Sequence, residues 1–204
     1  MSLHKLPPLR PARLAARVDG WPNLVTMFLD IANERGDAPF LSKKAGGVWV
    51  TQSWAQSADI VASLSAALLD LGIKRGDRVM LVSENRPEWC LADLAIMAAG
   101  AITVPAYTTN TQADHSHILG NSGARAVIVS GPKLAASLLP AVAASDNCRI
   151  VIGIDPLKDA QRSGTEIEIH QWQAITGARA DTLAKDRAAI RARATMQRHD
   201  LACL

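Results

Sequence analysis

The spacing of apolar positions changes along this chain, and the changes mark its elements. The pattern is densest from 76 to 110. Gly76-Asp77 is a turn pair, and Val79 to Val82 is a short run of strand formers that Glu84-Asn85-Arg86 breaks. Pro87 suits a first helical position, because its ring presets φ and its missing N–H would be unpaired there anyway. Trp89, Leu91, Leu94, Ala95 and Ala98 recur at helical spacing, and Gly100 suits the C′ position that closes such a helix. Ile102 to Val104 is a second apolar strand, stopped by Pro105. The result is a strand–helix–strand unit. Its strands show little polar alternation, which predicts a parallel sheet buried on both faces.

On the N-terminal side, Trp21-Pro22-Asn23 opens a helix whose stripe is Leu24, Phe28, Ile31 and Ala32, with Gly36 ending it. Pro39-Phe40-Leu41 and Val48 to Thr51 flank Ala45-Gly46-Gly47 and predict a hairpin with a Gly-containing loop. Ser53 and Gln56 have the spacing of a capping box. Ile60, Val61, Leu64, Leu68 and Leu71 give the following helix a strong apolar face, and Gly72 terminates it.

The alternation continues beyond the central unit. Asp114 to Leu119 falls in a short helix, Ala126 to Val129 is a strand, and Pro132 starts a helix carrying Leu134, Leu138, Leu139 and Val142. Ile150 to Ile154 is another buried-type strand. Ile167 to Ile175 reads equally as a helix or an edge strand, and Asp181 to Arg198 as a helix. Strands therefore begin near 79, 102, 126 and 150, each followed by a helix or loop. This predicts an α/β fold, a mostly parallel sheet with flanking helices. Leu201 to Leu204 reads as the opening of a further apolar strand.

Residues 1–20 form an arm in this reading, with prolines among Arg10, Arg13 and Arg17 and no sustained apolar period. A solvated arm is the simpler account. An arm that packs on a second subunit, giving a homodimer, is the other.

Composition narrows the function classes. A charged fraction of 20% and an apolar fraction of 49% are those of a globular domain. The net charge of +3 is mild, and aromatics at 4% are too few for a base-stacking surface. The basic side chains Lys185, Arg187, Arg191, Arg193 and Arg198 are better read as a solvated helix face than as a nucleic-acid site. Cys90, Cys148 and Cys203 are odd in number and far apart, so neither a disulfide framework nor a CxxC metal site is on offer, as in a reducing cytoplasm. Prolines and arginines stand where a secretory signal would need an apolar segment. The most membrane-like stretch, Leu94 to Tyr107, is too short to span a bilayer. The expected location is cytoplasmic, with peripheral membrane contact as the alternative.

No phosphate loop, dinucleotide fingerprint or nucleophile elbow is found. His115 and His117, two apart, fall on different helix faces and do not share a metal. Glu84 and Glu88 flank a helix start and favour its positive end. Asp30 and Glu34 read as a solvated face. No catalytic residue and no metal ligand is nominated, so the residue pattern alone stops at an α/β domain of open function.

Several stretches in order are nevertheless similar to AMP-forming acyl-CoA synthetases, and most to long-chain fatty-acid–CoA ligases. Val50-Thr51-Gln52-Ser53-Trp54 resembles the family's strand-to-helix motif T-[YW]-x-E. Leu71 to Val79 resembles LG followed by GDRV, and Ser83 to Trp89 resembles S-x-N-x-x-E-[WF]. Ala99 to Tyr107 resembles x-G-A-x-x-V-P-x-Y, and Ile118 to Arg125 resembles I-L-x-x-S-x-A-[KR]. The likeness runs over about residues 22–204. It implies the N-terminal portion of an adenylate-forming enzyme, with an arm at 1–20 and a subdomain at 21–204 that stops before the phosphate loop. The complete enzyme would use ATP, Mg²⁺ and CoA to activate a fatty acid as acyl-adenylate and pass it to the thiol. None of these ligands is expected to bind tightly to this piece, which should be inactive alone. The resemblance also implies that the loop Tyr107, Thr108 and Thr109 lies on the CoA side, where hydroxyls could meet a pantetheine amide; a turn with self-satisfied hydroxyls is the alternative. A Ser/Thr/Gly-rich loop with a Lys is expected within about ten residues after Leu204, by the usual loop length. The competing function is a non-catalytic interaction or dimerisation module.

Overall fold

The computed structural model describes residues 18–157 and 167–204. Helix α1 (Leu24–Arg35) begins where the Asn23 side chain accepts a hydrogen bond from the Thr26 N–H at 2.8 Å. Its buried line is Val25, Phe28 and Ala32, and Leu24, expected inside, is half exposed. The helix is rolled by one position, because the i, i+3, i+7 line is the one that meets the next helix. Strands β1 (Pro39–Ala45) and β2 (Val48–Ser53) form the expected hairpin. It turns through Gly46 and Gly47, both at positive φ (56° and 83°), which a two-residue turn of this hand requires.

Helix α2 (Trp54–Asp70) starts with the predicted capping box: Gln56 N–H donates to Ser53 Oγ at 3.1 Å, and Ser53 N–H to Gln56 Oε1 at 2.9 Å. Phe40 stacks on Trp54 with centroids 3.6 Å apart, and Phe28 packs 6.0 Å from each, fastening α1, the hairpin base and α2 together. The single apolar face expected of α2 is an understatement. Residues 61–68 are buried all round, Ser63 and Ser65 included. Small residues between the leucines let other helices close around it.

A second sheet comprises β3 (Arg78–Val82), β4 (Ile102–Ala106), β5 (Ala126–Val129), β6 (Ile150–Gly153) and β7 (Glu168–Gln171). All pairs are parallel, in the order β4-β3-β5-β6-β7. The crossovers are α3 (Pro87–Ala98), α4 (Gln112–Ser122) and α5 (Pro132–Ala143), and α6 (Trp172–Gly177) and α7 (Leu183–Arg193) complete the chain. The ambiguous stretch 167–175 thus resolves into both readings, a short edge strand followed by a helix. Alternate strand residues feed two cores. Val79, Leu81, Ala126, Ile128 and Ile152 meet α1, α2 and α3 on one face. Met80, Val82, Val127, Val129 and Val151 meet α4 and α5 on the other. That two-sided burial is why these strands read as continuous apolar runs.

Pro105 does not stop β4. The strand runs to Ala106, and Pro105 pairs in register with Leu81. Thr103, two residues earlier and therefore directed the same way, uses its N–H and C=O on the outer edge, toward Ala202 and Leu204. The N–H that Pro105 lacks would point to that edge and not into the ladder with β3, so the strand loses no internal bond. The same edge contacts form an isolated parallel bridge between Thr103 and Cys203, the start of the apolar strand expected at 201–204.

The basic helix is also more than a solvated face. Ile190 and Asp186 are buried. Arg187 pairs with Asp59 of α2, and Arg191 with Asp30 of α1 at 2.5 Å. Asp30, expected to be merely solvated, accepts from Trp21 Nε1 as well, at 2.9 Å. Arg179 grips Asp186 through two bonds of 2.8 Å. Of the arm expected over 1–20, residues 1–17 lie outside the described residues, and so does the dimer contact proposed for them. Its last part is tied back to the body: Arg198 donates to the carbonyls of Val18 and Trp21.

Candidate functional site at the carboxyl ends of the parallel strands

Because the strands are parallel, their following loops gather at one end of the sheet. These are 83–86 after β3, 107–111 after β4, 130–131 after β5 and 154–157 after β6. Chain order and spatial order disagree at β3, which has β4 on one side and β5 on the other. The first crossover runs from β3 out to β4 and the next runs from β4 back past β3 to β5, so the order reverses between β3 and β5.

A polar network spans this end. Arg86 Nη1 and Nη2 donate to Asp155 Oδ2 and Oδ1 at 2.8 and 3.0 Å, a bidentate bridge from the β3 loop to the β6 loop. The backbone of Gly131 lies against Asp155. A Cβ there would lie 3.2 Å from Asp155 Oδ2, so the glycine leaves room for the carboxylate. Arg86 Nε also donates to Glu88 Oε2 at 2.9 Å, and Lys43 Nζ on β1 donates to Glu88 Oε1 at 2.5 Å. Burial pushes the Glu88 carboxyl up, but the bonds from Arg86 and Lys43 outweigh it and hold its pKa at about 2. A hydrogen bond with Ser130 lowers that of Glu84. Glu84 and Glu88 were expected to act through the helix dipole, yet these specific partners dominate.

Beside this network lies a crevice of ≈ 530 Å³ between the β3 and β4 loops. Ser83, Asn85, Trp89, Pro105, Tyr107 and Thr108 line it, and Leu204 closes one side. Tyr107 is 81% exposed. Its carbonyl accepts from the Asn110 N–H at 3.2 Å, which closes a turn over Thr108 and Thr109. Of the three residues nominated from sequence, Tyr107 and Thr108 share this crevice, and Thr109 lies outside its lining. Both threonines are exposed, and neither hydroxyl has a hydrogen-bond partner among the described residues.

Sequence reasoning missed Arg86, Asp155, Ser130 and Lys43 as one assembly. They come from four separate loops or strands, and only the strand order brings them together. The signal that could have been used was Ser130-Gly131-Pro132, a tight strand-to-helix turn.

His115 is 1% exposed, with its pKa lowered by burial, while His117 is exposed, so the two do point apart. Among the described residues no group of three or more His, Cys, Asp or Glu side chains could hold a metal, and no helix is long and apolar enough to cross a membrane. The arrangement offers hydrogen-bonding groups and a rigid wall, which suits positioning a ligand.

Comparison with known proteins bears on the whole arrangement. The family described as AMP-binding enzyme matches residues 28–204. The long-chain-fatty-acid–CoA ligase FadD15 of Mycobacterium tuberculosis is 32% identical over 102 residues, covering 50% of this chain and 17% of that protein. Among solved structures, a benzoate CoA ligase from Burkholderia xenovorans LB400 superposes with a TM-score of 0.64 at 22% identity, covering 76% of this chain and 28% of that one. The A domain of a carboxylic acid reductase from Segniliparus rugosus, solved with AMP and a co-purified carboxylic acid, gives 0.66 at 16% identity, covering 80% and 29%. The two structural likenesses speak for the fold. The matched stretch is therefore less than a third of the length of each of these relatives.

Proposed function

Since the chain belongs to the AMP-binding enzyme family, the adenylate-forming acyl-CoA ligases, we propose that it is the amino-terminal subdomain of a long-chain fatty-acid–CoA ligase. The observation that carries this is the family match over 28–204, joined to a fold whose carboxyl-end crevice is built by the very stretches that resemble the ligases. In this reading the complete enzyme supplies ATP, Mg²⁺ and CoA chemistry, turning a fatty acid into an acyl-adenylate and then a thioester. This chain contributes the sheet that holds the site's wall and the Tyr107–Thr108 turn, whose unpartnered hydroxyl chemistry fits a pantetheine amide. The Arg86–Asp155 bridge keeps the β3 and β6 loops in fixed register beneath that wall.

The test is carboxylate-dependent ATP–pyrophosphate exchange, run on the chain alone and on the protein extended through the reading frame beyond Leu204. The chain alone should show none above a heat-killed control, and the extended protein should form AMP with fatty acid and CoA. A stop codon after Leu204, with the short protein as the sole cellular product, would overturn the ligase reading and favour an interaction module. Exchange by the short chain itself would overturn the division of labour proposed here.

A further inference from the structure

The β1–β2 hairpin carries a feature that the ligase reading does not use. Its base is fastened by the stack of Phe40 on Trp54, but every residue from Lys44 to Thr51 is exposed. Three consecutive large apolar side chains stand in the open: Val48 at 64%, Trp49 at 71% and Val50 at 49% exposure. A run of this kind costs solubility and is normally avoided unless it meets something. Register divides it between both faces of the ribbon, with Lys44 opposite Trp49 on one and Lys43 opposite Val50 on the other. The apolar tip is thus two-sided, whereas a flat protein partner would cover one face.

Charge narrows the partner further. From Pro39 to Ser53 the hairpin has two lysines and no acidic residue. Lys43 is committed to Glu88, while Lys44 has no ion pair among the described residues and sits directly across from Trp49. An indole with a cation beside it is the pairing that settles at a bilayer interface. The ring lies at headgroup depth, and the long amine stem lets the charge reach the phosphates.

We propose that the hairpin tip, Lys44 with Val48, Trp49 and Val50, docks the protein peripherally on an anionic lipid bilayer. Burial of three side chains plus a single free lysine predicts weak, reversible binding that requires negative lipid and weakens with salt.

The experiment is co-sedimentation of the 204-residue chain with vesicles of phosphatidylcholine containing 30% phosphatidylglycerol, against pure phosphatidylcholine. Binding should be several-fold greater on the anionic vesicles and fall as salt is raised. The double substitution V48S/W49S should lower the partition coefficient about tenfold, and Lys44→Glu about as much on anionic vesicles only. Thermal unfolding of each variant should match the unsubstituted chain, because the altered side chains touch no core. Brominated lipid should quench the fluorescence of the unsubstituted chain more than that of Trp49→Phe. No binding to anionic vesicles, or binding unchanged by V48S/W49S, overturns the proposal. So does a dimer in sedimentation velocity that V48S/W49S abolishes, since the tip would then face a second copy.

Discussion

Replacing Gly100 by valine should destabilise the fold through one backbone angle. Gly100 sits at φ +79° just past α3. The Gly100 N–H donates to Met97 O at 2.9 Å and the Ala101 N–H to Ile96 O at 3.0 Å, the paired bonds of a Schellman motif. The Gly100 carbonyl in turn accepts from Gly76 N–H at 2.8 Å, so the helix end is pinned to the turn that launches β3. Any L-residue at this φ costs roughly 1–2 kcal/mol, and β-branching adds to it. A new Cβ would also lie 3.3 Å from Arg75 Cγ, which must give way. The sum is about 2–3 kcal/mol, a large share of a typical domain stability of about 5–15 kcal/mol. Urea unfolding followed by circular dichroism reads it as a lower midpoint at unchanged slope. Gly120→Ala is the paired control. Gly120 is helical and exposed, and a Cβ there meets nothing within 4 Å, so alanine should raise stability by about 0.5–1 kcal/mol. If Gly100→Val leaves the midpoint where it was, the reasoning from backbone strain fails.

Two further substitutions probe the core and the carboxyl-end network. Leu64→Ala, at a fully buried position in the middle of α2, should cost about 2–5 kcal/mol by the same urea assay; a loss under 1 kcal/mol would mean that α2 is not the packed centre described above. Glu88 has a folded pKa near 2 against an ordinary 4.5. A depressed carboxyl contributes stability that is present above about pH 4.5 and is lost as pH falls toward 2, here of order 2–3 kcal/mol. Glu88→Gln should therefore lower the melting temperature at pH 7 and flatten its fall between pH 5 and pH 2; parallel pH profiles for the two proteins would refute the pairing with Arg86 and Lys43.

The parts of the fold that were legible share a physical origin: their signals are local. The capping box at Ser53, the Gly46-Gly47 turn, Pro87 at a helix start and Gly100 at a helix end each act through bonds spanning a few residues, so spacing alone reveals them. The misreadings share the opposite origin. Pro105 breaks a strand only if its missing N–H faces a neighbour, and which side it faces depends on strand order. Leu24 and Val25 are equally apolar, and only the position of α2 decides which turns inward. The arginines of α7 read as solvated until Asp59 and Asp30 of two other helices are set beside them.

The candidate site follows the same division, and for that reason resemblance nominated only part of the crevice lining. Tyr107 and Thr108 follow directly on a strand and could be nominated from the loop they occupy. Arg86 and Asp155 are separated by 69 positions and lie two strands apart in space. Nothing in either neighbourhood marks them as partners. They meet because β5 inserts between β3 and β6, and because Gly131 leaves space for a carboxylate over its backbone. Strand order in a parallel sheet is set by which crossover packs on which face, a matter of whole helices and not of the residues at the strand ends. A crevice formed between the loops of two such strands is therefore the part of such a protein that local sequence encodes least, although every residue lining it is in plain view.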